Sequence, residues 1–203
     1  MFKGVLTMCL KTPRIILASK SPRRQELLKT LGFEFIIHAP DVDENIEGIP
    51  ENMVKILSER KARAVADEYS TGLIIAADTL VSLDNRALGK PSDEEDAMRM
   101  LKSFSGRAHQ VYTGICLMNA ETKAFEVKAV RSDVHFRPLS LSEILAYIET
   151  KEPMDKAGAY AIQGGAGKFI EKYEGSYTNI VGFPTEEFSS MYERFSKSFT
   201  EEK

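Results

Sequence analysis

Five consecutive apolar residues, Leu73-Ile74-Ile75-Ala76-Ala77, run straight into Asp78-Thr79. An unbroken apolar run of this length reads as a buried strand. A carboxylate delivered where such a strand leaves the core must find a cation or a hydrogen-bond donor, because an unpaired buried charge is very costly. A second run, Arg14-Ile15-Ile16-Leu17-Ala18, ends in Ser19-Lys20-Ser21, and Pro22 then stands where a first helical residue belongs, with Ser21 as N-cap. Two buried strands, each followed by polar residues and helical patterns, commit the chain to a mixed α/β or α+β fold.

The rest of the pattern agrees. The first helix carries Leu27, Leu28 and Leu31 and stops at Gly32, and Phe35 to Ile37 forms a short strand before the acidic loop Asp41-Val42-Asp43-Glu44. Met53, Ile56, Leu57, Ala64 and Val65 fit a helix from about Asn52 to Tyr69 with a basic outer face. Leu80 to Leu83 continues the extended path from Asp78 to a turn at Asp84-Asn85. Ser92 with Glu95, and Ser140 with Glu143, read as capping boxes opening helices to about Lys102 and Glu149. His109 to Met118 and Phe125 to Phe136 read as long strands. Gly158 to Ile162, Phe169 to Tyr173 and Tyr177 to Val181 read as short ones, and Pro184 opens a last amphipathic helix.

Composition narrows the function classes. The 203 residues fit one large domain or two small ones, and 43% hydrophobic with 28% charged residues is ordinary globular usage. Lys plus Arg total 27 against 30 Asp plus Glu, a net charge of −3, so the totals carry no nucleic-acid footprint. Cys9 and Cys116 are too few for a disulfide scaffold and point to a reducing compartment. The apolar stretch Gly4 to Leu10 is bracketed by Lys3 and Lys11 and is marginal for a signal segment, and no stretch approaches a membrane span. The expectation is a cytoplasmic protein with neither membrane nor nucleic acid as partner.

Three groups of residues can do chemistry. Ser19-Lys20-Ser21-Pro22-Arg23-Arg24 places two hydroxyls and two guanidinium groups at a helix start. Arginine there opposes the helix dipole; gripping phosphate oxygens is one reason to accept that, and an ordinary Ser-Pro start with solvated arginines is the alternative. Asp78, with Asp43 and Glu44, could serve Mg²⁺, which takes one or two carboxylates and completes its octahedron with water and substrate phosphates; Asp78 could equally cap a turn, and Asp41 reads as solvated. Lys90, stiffened between Gly89 and Pro91, and Lys61 on the long helix can supply point charges to a phosphate. Other signals fail. Gly164 to Lys168 lacks the spacing of a phosphate loop, since Ile162 and Phe169 stand where Gly and Ser or Thr are needed, and it reads as a hairpin turn. His38, His109 and His135 are too scattered for a zinc site.

Taken in order, Leu17 to Leu28, Lys61-Ala62, Ala77-Asp78-Thr79, Gly89-Lys90-Pro91, Leu101 to Gly106, Glu152 to Gly164 and Val181-Gly182-Phe183-Pro184 resemble the Maf family of nucleoside triphosphate pyrophosphatases, across roughly Ile15 to Phe195. Departures are small: Ala76 and Ala161 stand where Gly is common, and Phe183 where Leu is usual. The resemblance implies a single domain with a core of about 14–195, built on an elongated mixed β-sheet flanked by helices around a deep central cleft. It implies hydrolysis of dTTP and UTP to the monophosphate and pyrophosphate with a divalent cation, Mg²⁺ or Mn²⁺, and it is compatible with a homodimer. Asp78 matches the family's proton acceptor. Arg23, Thr79 and Gln163 match the positions that mark the dTTP/UTP branch. Glu44, Lys61 and Lys90 match further positions that handle metal and phosphates; with Ser19 and Arg24 as the other phosphate-binding candidates, the metal is expected at Glu44 and Asp78. A nucleotide-binding regulator of septum formation with little turnover is the alternative, and retention of Asp78 and Lys90 favours the enzyme. An inosine triphosphate pyrophosphatase shares the reaction but not the Ser-Pro-Arg-Arg start.

Overall fold

The computed structural model describes residues 13–199; the apolar stretch Gly4 to Leu10 and Cys9 lie outside them. In chain order the elements are β1 (Ile15–Leu17), α1 (Pro22–Thr30), β2 (Ile36–Ile37), α2 (Pro50–Ala66), β3 (Leu73–Leu83), β4 (Arg86–Leu88), α3 (Glu94–Phe104), β5 (Ala108–Asn119), β6 (Phe125–Phe136), α4 (Leu141–Glu149), β7 (Ile170–Glu174), α5 (Tyr177–Val181) and α6 (Thr185–Phe195). The strands form one seven-stranded mixed sheet in the order β2-β1-β3-β5-β6-β7, with β4 also on β3. β1 pairs in parallel with β2 and β3, and every other pairing is antiparallel. This is the expected α/β sheet flanked by helices.

One detail of the pairing creates the site. Along one edge β3 is paired with β5 from Leu73 to Ser82. Its other edge is shared: β1 takes Leu73 to Ile75 and β4 takes Val81 to Leu83. Among the described residues no strand pairs with residues 76–80 of β3 on that side, and Asp78 and Thr79 lie in the middle of the gap. Strand alternation sends them to opposite faces. Ile74, Ala76 and, from β5, Cys116 and Met118 pack under Ala62, Val65 and Ala66 of α2. Leu73, Ile75, Ala77, Ile115 and Leu117 pack on the other face against Leu28, Phe188 and Met191 of α1 and α6. Asp78 has the parity of the α2 face and Thr79 that of the α1/α6 face. A third core, around Phe104, Phe136, Tyr147 and Phe169, holds α3 and α4 beside the far end of the sheet.

Gly114, in the interior of β5, is opposite Asp78 in the register. A Cβ added there would lie 2.1 Å from the Val54 carbonyl oxygen and 2.5 Å from its carbon. Only a residue without a side chain lets the α2 backbone come so close to the sheet, and this approach sets the height of Lys61 above Asp78.

Four local expectations are corrected. Tyr177 to Val181, rich in β-branched and aromatic residues, is helix α5 rather than a strand. The Ser176 hydroxyl accepts the Asn179 N–H at 3.2 Å, Gly182 closes the helix at φ 111°, and these end signals outweigh the weak β preference. Gly158 to Ile162 is not a strand: Ala157–Ala159 is a 3-10 turn with Gly158 at φ 67°, and no ladder follows. Gly164 to Lys168 is not a hairpin turn, because Gly165–Phe169 forms a 3-10 helix that feeds β7 directly. The cap of α3 is Asp93 rather than Ser92, its carboxylate accepting the Asp96 N–H at 2.8 Å. The box at Ser140 and Glu143 is present in full. Among the described residues no helix is long and apolar enough to cross a membrane.

Candidate active site

Asp78 is 6% exposed, and its carboxylate accepts a hydrogen bond of 2.5 Å from the Lys61 ammonium. The same Nζ lies 2.7 Å from Oε1 of Glu44, on the loop that precedes α2. Lys61 is itself largely covered, with 12% of its side chain exposed, whereas Glu44 is open to solvent. Two carboxylates thus converge on a single cationic point at the gap in β3. Asp41 is exposed, as expected of a solvated turn, and Asp43 accepts the Asn45 N–H in a local turn.

On the opposite face Arg24 folds back from the first turn of α1 instead of extending into solvent. Its Nε donates to the Gly182 carbonyl (2.9 Å), Nη1 to the Ser19 hydroxyl (3.1 Å) and Nη2 to the Thr79 hydroxyl (3.1 Å). A guanidinium has five N–H donors, so one on each Nη remains after these three bonds. That pair is the fork that grips a carboxylate or phosphate bidentately. Burial pulls the Arg24 guanidinium below its ordinary range, opposed by the field of Asp78 and, more weakly, of Glu44. The two faces therefore act on each other electrostatically across the gap. Gly182 has to be glycine for this geometry: its φ of 111° suits no L side chain, and a Cβ would stand 3.2 Å from the Thr79 hydroxyl.

Ser19 is buried at the end of β1, and its hydroxyl accepts from Arg24 and from the Ser21 N–H at 3.2 Å. Both lone pairs are spent, which leaves its O–H to donate. Ser21 holds the N-cap position of α1 but makes no side-chain cap bond, and its own N–H is taken up by the Ser19 hydroxyl.

The family model for Maf-like proteins matches residues 14–195. The chain belongs to the Maf family. It is 48% identical over 183 residues to the dTTP/UTP pyrophosphatase of Pelotomaculum thermopropionicum, covering 89% of this chain and 96% of that one. It is 49% identical over 172 residues to the dTTP/UTP pyrophosphatase of Carboxydothermus hydrogenoformans (84% and 92%), and 43% identical over 180 residues to that of Acinetobacter baylyi (88% and 97%).

Of the residues singled out in the sequence, this Maf-family fold brings together Ser19, Arg24, Glu44, Lys61, Asp78 and Thr79. Arg23 is half-buried beside Arg24, and its charge also reaches Asp155. Lys90 is exposed on the loop after β4, a loop pinned where the Gly89 carbonyl accepts the Gly158 N–H at 2.9 Å. Gln163 is exposed, in a turn rather than in the strand expected for it. That turn is braced from behind. The Glu152 carboxylate accepts from the Tyr147 hydroxyl (2.9 Å) and the Gly165 N–H (3.0 Å), and the Tyr147 oxygen accepts the Ala161 N–H (3.3 Å).

The histidines are dispersed. His109 is fully buried against Phe104, Phe136 and Tyr160, where burial pushes its imidazole down to about 3 and keeps it neutral. No group of three or more His, Cys, Asp or Glu side chains among the described residues could hold a metal alone. Glu44 and Asp78 nevertheless fit a hard cation: both already direct an oxygen at the one position filled by the Lys61 ammonium, and two carboxylates suffice for Mg²⁺ when phosphates complete its shell. Thr113, Asn179, Gly114 and Gly182 were missed by sequence reasoning as site-forming residues. A glycine inside a long strand was the available signal for Gly114. The threonine before it carried none.

Proposed function

We propose that this protein hydrolyses dTTP and UTP to the nucleoside monophosphate and pyrophosphate, removing unwanted nucleotides from the cytoplasmic pool. The observation that carries the reading is the buried Asp78 carboxylate, held by Lys61 in the gap of the sheet and facing the field of Arg24. The activity named for relatives matched over most of both chains supports it.

Hydrolysis at the α-phosphorus asks mainly for positioning and for stabilising charge on the leaving pyrophosphate. Asp78 orients the attacking water and accepts its proton. The free fork of Arg24 and the Ser19 O–H bind phosphate oxygens, with Arg23, Lys90 and, once a cation takes its place between the two carboxylates, Lys61 adding positive charge. Glu44 and Asp78 would hold a divalent cation, Mg²⁺ or Mn²⁺, which supplies further neutralisation of phosphate charge when bound. The test is a panel of canonical and modified nucleoside triphosphates with either metal, scored separately for pyrophosphate and orthophosphate. Pyrophosphate is the expected product, lost in EDTA. Orthophosphate as the main product would overturn the reading, and full activity in chelator would remove Glu44 and Asp78 from metal binding.

Gln163 is proposed to read the base. Its primary amide can pair with O4 and N3–H of uracil or thymine, and its place in a braced but exposed turn lets the side chain reach a nucleotide. Removing one partner of a hydrogen-bonded pair that the bound base covers costs about 1–3 kcal/mol, so Gln163→Ala should lower the UTP-over-ATP ratio of kcat/KM by roughly 5- to 150-fold. An unchanged ratio would move base selection to other residues.

A further inference from the structure

Behind the Arg24 fork lies a chain of hydrogen bonds that the reaction itself does not touch. The Thr113 hydroxyl donates to the Asn179 carbonyl at 3.0 Å in a fully buried contact. Thr113 and Thr79 are register partners on β5 and β3, and their hydroxyl oxygens are 3.0 Å apart. A hydroxyl has a single proton. Thr113 spends its proton on Asn179, so the proton between the two threonines comes from Thr79, and Thr79 in turn accepts from Arg24 Nη2. The direction is set throughout: Arg24 to Thr79, Thr79 to Thr113, Thr113 to the Asn179 carbonyl.

Both arms of this arrangement end on one short helix. The Asn179 carbonyl also accepts the Gly182 N–H at 2.9 Å, and the Gly182 carbonyl takes Arg24 Nε. Asn179 is anchored in its turn: its side-chain amide donates to the Val111 carbonyl (3.0 Å) and the Ser132 hydroxyl (2.9 Å), tying α5 to β5 and β6. The guanidinium is therefore gripped from two sides, and its two unused N–H groups are held in one orientation.

We infer that Thr113 and Asn179 are positioning residues, which act through Thr79 to hold the Arg24 fork in register with the phosphates of a bound nucleotide. The inference rests on the proposed phosphate-binding role of Arg24. It also reassigns the Thr79 hydroxyl. With its proton given to Thr113, Thr79 has none to donate to a base carbonyl, and its effect on the substrate passes through Arg24. Loss of the relay should then weaken every nucleotide alike, because the phosphates are common to all of them.

Thr113→Val keeps the shape and removes the hydroxyl. Binding of the non-hydrolysable α,β-imido-UTP, measured by calorimetry, should weaken about tenfold, the size expected for one buried hydrogen bond. KM for UTP and for ATP should rise by similar factors, with the ratio of their kcat/KM values kept within twofold. Thr113→Ser, which restores the hydroxyl, should bind the analogue as the wild type does. Thr113→Ala serves as the second hydroxyl-free variant should the valine not fold. Analogue affinity unchanged in a folded hydroxyl-free variant would overturn the inference, as would weakening confined to one base or a serine variant no better than valine. Failure of the wild type itself to bind the analogue or to release pyrophosphate would instead overturn the function on which the inference rests.

Discussion

Asp78→Asn should lower kcat for UTP at least about 100-fold while leaving a folded protein. The figure is the low end for loss of a general base and corresponds to about 2.7 kcal/mol of transition-state stabilisation. Asparagine keeps the volume and can still accept the Lys61 hydrogen bond through its carbonyl oxygen, so the contact that ties β3 to α2 survives in neutral form. What disappears is the charge. Without it the site can neither take a proton from water nor supply the second anionic oxygen beside Glu44, and the Arg24 guanidinium loses its largest opposing field. Steady-state rates with UTP, together with far-UV circular dichroism, separate chemistry from folding. A folded variant within tenfold of the wild-type kcat would reduce Asp78 to a partner that holds Lys61 in place.

Gly114→Ala should be nearly as damaging, although residue 114 carries no functional group. The new Cβ meets the Val54 carbonyl oxygen at 2.1 Å; the Cβ is fixed to the β5 backbone and the oxygen is main chain, so neither can rotate aside. Either α2 lifts from the sheet or β5 bends. Overpacking of this kind costs typically 1–3 kcal/mol, and at the upper end the melting temperature falls by about 6–12 °C for a chain of this size. The catalytic consequence is separate. Lys61 lies two helical turns beyond Val54 on α2, so lifting the helix draws the ammonium away from Asp78 on the opposed strand. Misplacement of a catalytic group by about 1 Å can cost about 100-fold in rate, and a loss of kcat/KM of that order is expected even below the melting transition. A variant with wild-type melting temperature and kcat/KM would show that α2 has room to spare at this point.

Much of the site was legible because it is local. The uninterrupted apolar run before Asp78 is a direct record of burial, and a carboxylate after such a run is informative without any fold. Ser19 to Arg24 was equally readable, since two arginines in the first turn of a helix run against its dipole and ask for a reason. The same local reasoning failed where propensity and end signals disagree. Tyr177 to Val181 carries strand-type side chains, yet Ser176 and Gly182 close it as a helix, and five residues are too few for periodicity to decide.

Local patterning identified the chemical groups and most of the strands and helices that carry them; Gln163, expected in a strand, lies in a turn, and Tyr177–Val181 is a helix. Tertiary structure alone decided how they meet. β3 does not end at Asp78 but runs on to Leu83; Asp78 is reachable because β1 and β4 pair with either end of the strand and leave residues 76–80 bare. The partners that hold Arg24 come from Thr79, 55 residues further on, and Gly182, 158 residues further on. Thr113 meets Asn179 across 66 positions. Hydrogen bonds of this span leave no period or spacing in the chain, because a hydroxyl in a strand satisfies local geometry equally well whether it faces a helix carbonyl or water. Only the register of β3 on β5 and the seating of α5 against them choose between the two.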